Sequence, residues 1–212
     1  MKTLYLLSAL IVASVASAQI VITGIYDGDA SDPKGIEAYV VSTGDYTGWA
    51  VELQFNANTT WSNGYTFDGS YTAGEFLYIT STPDTLTGWG WASKGTIISD
   101  GSFNQNGDDS YRIIDGSSTV IDSFGVDGTD GTGQAWEFTD SYAYRSDGTA
   151  PTATFAVGEW TYGGVNFLET VGGGQQAFLT GQFGTYAVPE PSTIAAILGL
   201  CALGFVVVRR RR

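Results

Sequence analysis

Histidine is absent from the chain. Without an imidazole there is no Ser-His-Asp or Cys-His arrangement, no histidine-dependent nuclease and no His-rich catalytic zinc site. The single cysteine, Cys201, lies in an apolar stretch near the C-terminus, so the body of the chain can form no internal disulfide and carries no thiol chemistry. Basic residues are nearly as scarce. Of nine, Lys2 and Arg209, Arg210, Arg211 and Arg212 sit at the two ends, leaving Lys34, Lys94, Arg112 and Arg145 for everything between. Residues 19–188 set twenty-one acids against these four, a net charge of −17. Such a surface repels nucleic acid and anionic lipid and favours solubility and divalent cations. For catalysis only carboxylate pairs or a carboxylate-bound metal remain.

Glycine is plentiful at 29 residues, aromatics make up 14 %, and the middle of the chain shows no long helical periodicity. That combination predicts many short strands joined by turns. Residues 19–25 read as a strand with Ile20, Ile22 and Gly24 on one face, and 36–41 as the next. The clearest alternation sets Trp49, Val51, Leu53 and Phe55 toward a core and Ala50, Glu52 and Gln54 away from it. Residues 76–80 make a further strand, and 111–114 with 119–124 a hairpin around Asp115-Gly116-Ser117-Ser118. Weaker strand candidates are 135–138, 142–145 and 177–179. The spacing indicates an all-β sandwich.

The two ends have a different character. Lys2, an apolar run over 4–15 and the small-residue pattern Ala16-Ser17-Ala18 make residues 1–18 a signal peptide cleaved to leave Gln19 first. At the other end Pro189-Glu190-Pro191 favours an extended, protease-accessible segment. An apolar run over 194–208 can enter a bilayer as a helix, with Arg209, Arg210, Arg211 and Arg212 held on the cytoplasmic side. At ~1.5 Å per residue this run reaches ~22 Å, short of a ~30 Å hydrocarbon core. In its three parts the stretch 188–212 resembles the PEP-CTERM sorting signal. The resemblance implies an exosortase-type membrane protease as partner, which acts on a bacterial precursor anchored in the inner membrane and sends it to the cell surface or beyond.

A second resemblance lies between the ends. Pro33-Lys34-Gly35-Ile36-Glu37-Ala38-Tyr39, Asp45-Tyr46-Thr47-Gly48-Trp49-Ala50-Val51, Thr72-Ala73-Gly74-Glu75-Phe76-Leu77-Tyr78-Ile79, Asn106-Gly107-Asp108-Asp109-Ser110-Tyr111-Arg112-Ile113 and Val120-Ile121-Asp122-Ser123-Phe124-Gly125 follow one another as do the segments of lamin-tail domains. The bacterial form of that resemblance extends through Trp136-Glu137-Phe138 and Tyr142-Ala143-Tyr144-Arg145. Tyr46 and the lack of Asn-Pro after Tyr39 depart from the pattern. The resemblance implies an immunoglobulin-like β-sandwich over 19–170, followed by a Gly-rich linker, 171–187, and the sorting signal. It also implies a non-catalytic module.

Two acidic loops offer calcium ligands, Asp27, Asp29 and Asp32 in the first and Asp127 and Asp130 in the second, although Asp-Gly pairs also simply make turns. Trp61, Trp89, Trp91, Trp136 and Trp160 could supply a carbohydrate platform or core packing. Trp89-Gly90-Trp91 is the best patch, because an extended segment sets both rings on one face. The acidic pairs Asp108-Asp109 and Glu137 with Asp140 read as solvated turns. The expected protein is an exported, non-enzymatic cell-surface or matrix protein needing no cofactor, with calcium as the one candidate ion. Its alternative is a carbohydrate-binding or calcium-dependent adhesion module acting on the cell's own extracellular polysaccharide.

Overall fold

The computed structural model describes residues 19–104 and 106–188. The signal-peptide residues, Ala16 and Ala18 among them, lie outside the described residues. So do Pro189, Glu190 and Pro191, the apolar run and Arg209, Arg210, Arg211 and Arg212. Among the described residues no helix is long and apolar enough to cross a membrane.

Strands dominate: β1 (Gln19–Asp27), β2 (Lys34–Ser42), β3 (Gly44–Asp45), β4 (Ala50–Gln54), β5 (Ser62–Thr66), β6 (Ser70–Tyr71), β7 (Phe76–Thr80), β8 (Thr96–Ser99), β9 (Ser110–Ile114), β10 (Val120–Phe124), β11 (Tyr142–Arg145) and β12 (Trp160–Tyr162). Three short helices accompany them, α1 (Pro83–Gly88), α2 (Phe167–Thr170) and α3 (Gln175–Gln182). A six-stranded sheet runs β12-β11-β1-β2-β7-β8, a four-stranded sheet runs β10-β9-β4-β5, and β3 pairs with β6. Every pairing is antiparallel except β7 with β8, whose parallel register follows from the crossover through α1.

One apolar core joins the two larger sheets: Ile20, Ile22, Ile25, Ile36 and Leu77 from the first, and Val51, Leu53, Ile113 and Phe124 from the second. A second core lies on the other face of the six-stranded sheet. There Val21, Tyr26, Tyr78 and Tyr144 are covered by Leu86 of α1, Trp91, Leu168 of α2, Leu179 of α3 and Phe183. The six-stranded sheet is therefore buried on both faces, and β1 is apolar without alternation, as expected of a strand covered on both sides. A register shift between Ile22 and Gly24 changes its parity. Ile25 consequently joins Ile20 and Ile22, while Gly24 turns to the opposite face, where a methyl group would overlap the Phe183 ring. The reading that put Gly24 with the two isoleucines is corrected by this bulge.

Val51 and Leu53 are buried as the alternation expects and Trp49, just before β4, packs half-buried against the same core, whereas Ala50, expected away from it, is buried too. Phe55 lies beyond the strand and is 36 % exposed, whereas Gln54, expected toward solvent, is buried. Residues 135–138 form turns rather than a strand, and 177–179 lie within α3. The Gly-rich stretch 171–187, expected as a linker, instead carries α3 and buries Leu179, Phe183 and Tyr186. Its glycines mark the turns around a helix that small polar residues made hard to see.

A buried ion pair bolts the two sheets together. Arg145 of β11 donates through Nη2 to Asp122 of β10 at 2.8 Å and through Nε to the Ile22 carbonyl of β1. Asp122 also accepts the backbone N–H groups of Ile22 and Thr152. Burial drives its carboxyl up to about 6 even against the adjacent guanidinium.

Candidate binding cleft

The aromatic patch read from Trp89-Gly90-Trp91 does not form. Trp89 caps α1, Gly90 takes a left-handed φ of 83° and Trp91 opens a tight 3-10 turn, so the segment is not extended. Trp91 is 0 % exposed, packed against Tyr26, Tyr78 and Phe183 with its indole N–H on Thr180. Trp89 is half-buried beside it, and Trp136 and Trp160 are core residues. The acidic loops are likewise committed elsewhere. Asp27 is buried and pairs with Lys34 at 2.8 Å, Asp32 accepts the Thr85 hydroxyl, and Asp29 lies in a 3-10 turn whose N–H donates to Gln175. Asp130 caps its own turn through the Thr132 N–H. Among the described residues no three His, Cys, Asp or Glu side chains gather as a metal would require. Neither acidic loop therefore gathers a carboxylate cluster among the described residues. Asp108 and Asp109, expected as solvated, are buried, accepting from the Thr132 hydroxyl and the Asn56 N–H respectively. Burial is the main reason the Asp109 carboxyl rises to about 6.

Trp61, half-buried as Trp49 and Trp89 are, lines a cleft of about 300 Å³. Trp61 precedes β5 in a polar stretch that offers it no apolar neighbour in sequence. Two polar arms hold it. Arg112 of β9 lays its guanidinium 4.3 Å from the ring centroid, and its Nε donates to Glu52 of β4 at 2.6 Å. Asp127 accepts the indole N–H at 3.2 Å and the Gln54 amide at 2.6 Å on the same oxygen. The Gln54 carbonyl takes the Gly128 N–H at 2.7 Å, so one buried amide fixes the loop that carries Asp127. Ser123, Phe155 and the 46 % exposed Val126 complete the working surface. Sequence reasoning counted Trp61 among the aromatics without separating it from the core tryptophans. Its isolation in a polar run was the available signal.

The chain leaves this body by a clamped route. Glu37 of β2, fully buried, accepts the Gly184 N–H at 2.6 Å and the Thr23 hydroxyl at 2.6 Å. Its carboxyl is pushed by burial up to about 7. Lys94 donates to the carbonyls of Thr180 and Phe183, a cation at the C-terminal end of α3. Tyr186 donates to the Thr149 carbonyl, and the Gly148 N–H donates to Ala187. Val188 then lies beside Gln19, Val41 and Pro151 in a shallow depression, so both ends of the described body meet at one pole.

Residues 187–212, beginning where that clamp ends, match the model of the PEP-CTERM protein-sorting motif. The motif marks an exported protein, made as a membrane-anchored precursor and sorted by exosortase. No curated protein matches the chain.

Proposed function

We propose that this chain is a bacterial cell-surface or extracellular-matrix protein whose exported body is a non-enzymatic, lamin-tail-like binding module of the immunoglobulin type. The sorting motif carries the first half of this reading. Supporting the second, five of the lamin-like segments include residues of β2, β4, β7, β9 and β10. The absence of histidine narrows the available chemistry to carboxylates. Behind the cleft Glu52 is bound by Arg112, and within it Asp127 is bound by Gln54 and Trp61, so each of these carboxylates already has partners.

Processing tests the reading. Intact mass of the protein from its native host should show Gln19 at the start and no Arg209, Arg210, Arg211 or Arg212. Replacing Pro189, Glu190 and Pro191 together by alanine should leave precursor in the inner membrane. Unchanged processing of that variant, or arginines kept in the mature wild-type protein, would overturn it.

A further inference from the structure

We infer that the Trp61 cleft binds a neutral saccharide, seating a sugar ring against the indole; this rests on reading the domain as a binding module. Trp91, Trp136 and Trp160 are buried because the cores need their volume. Trp61 has no such role, yet it is immobilised by Arg112 on its face and Asp127 on its N–H. A large aromatic surface fixed in advance loses little freedom when a ligand covers it. Gln54 adds to the case, since a buried amide directs both its polar atoms at the loop forming the cleft's rim.

The chemistry around the ring selects the ligand class. Trp61, Phe155 and Val126 offer apolar surface, while Arg112, Ser123 and Asp127 interleave hydrogen-bonding groups with it. Pyranose rings present that same alternation of C–H faces and hydroxyl edges. A purely apolar ligand would strip water from the guanidinium and carboxylate without replacing it. An anionic sugar meets Asp127 in the cleft, where Arg112 is already paired with Glu52, in a body already carrying −17. A cationic ligand would meet the Arg112 guanidinium in the lining of the cleft and be repelled. A cleft of about 300 Å³ suits a ligand at the small end of the usual ~300–1,000 Å³ range.

The test is calorimetric titration of the full-length protein, held in a detergent without a sugar headgroup. The probes are cellohexaose, laminarihexaose and mannohexaose, with hexagalacturonate as charged counterpart. At least one neutral hexasaccharide should bind, more tightly than hexagalacturonate. Trp61→Ala should weaken that binding about tenfold or more, and Trp61→Phe should weaken it less. Val126→Trp fills the cleft from an exposed position and should abolish binding with an unchanged melting curve. Absence of binding by all three neutral probes would overturn the inference. Preference for the charged probe, or binding indifferent to both Trp61→Ala and Val126→Trp, would do the same. In each of these cases the processing result stands untouched. Shortening of any probe, read separately by product size, would overturn the non-enzymatic reading and this inference with it.

Discussion

Leu53 and Gln54 are neighbours on β4, both fully buried, and they stabilise the molecule by unlike means. Leu53 packs into the core between the sheets, so Leu53→Ala removes apolar contact and leaves a cavity, at about 2–5 kcal/mol. Gln54→Ala takes little apolar surface away. It leaves the Gly128 N–H and one partner of Asp127 unmatched, at about 1–3 kcal/mol. Urea unfolding should rank the two in that order, with Gln54→Ala also loosening the loop around Asp127 in hydrogen exchange. A Gln54→Ala cost within ~0.5 kcal/mol would mean that water replaces the amide freely. Strict alternation assigned Gln54 to solvent because periodicity reports faces, and it carries no information about a distant loop folding over the outer one. The same blindness hid Asp122 with Arg145. Twenty-three residues apart, they meet only once β10 and β11 have joined different sheets.

At the level of elements, the C-terminal strap is the least expected part. Phe183 stands among Tyr26, Trp91 and Tyr144, and α3 is fastened by Lys94 at one end and Gln175 at the other. Phe183→Ala should cost about 3–5 kcal/mol. A chain ended after Thr170 should fare worse, exposing Tyr26, Tyr78, Trp91 and Tyr144 and binding a hydrophobic dye that the longer chain excludes. Equal dye binding and equal melting of the two chains would show that the strap is dispensable. The strands with strong β-branched and aromatic content, β2, β7, β9 and β10, were visible in the sequence because their local pattern and their burial agree. Helix α3 was not, since Gln175, Gln176, Thr180 and Gly181 give it almost no amphipathic stripe and its docking rests on Leu179 and the residues after it. The cleft was unreadable for a related reason: Trp61, Arg112 and Asp127 come from three separate segments.

For the molecule as a whole, buried acids decide how stability depends on pH. Glu37 is raised to about 7, and Asp109 and Asp122 to about 6, each chiefly by burial. Between the usual carboxylate range and those values the folded state holds protons that the unfolded chain has released, so stability falls as pH rises through this window. Asp45, Asp115 and Asp130 shift the other way through hydrogen bonds in their own turns, and that contribution is lost in stronger acid. The melting temperature should therefore peak at about pH 4, decline up to about pH 7 and level off above it. Glu37→Gln, which keeps an acceptor for the Gly184 N–H, should flatten the decline between about pH 5 and 7. An unaltered slope in that variant would remove Glu37 from the account. The meeting of Gln19 and Val188 at one pole has a mechanical counterpart. A pull on the C-terminal end enters at Val188 and meets the strap's fastenings in series, Ala187 to Gly148, Tyr186 to Thr149, then Gly184 to Glu37. Loaded in that order they should peel one at a time under force, the strap yielding as a fuse ahead of the Asp122–Arg145 bolt between the sheets.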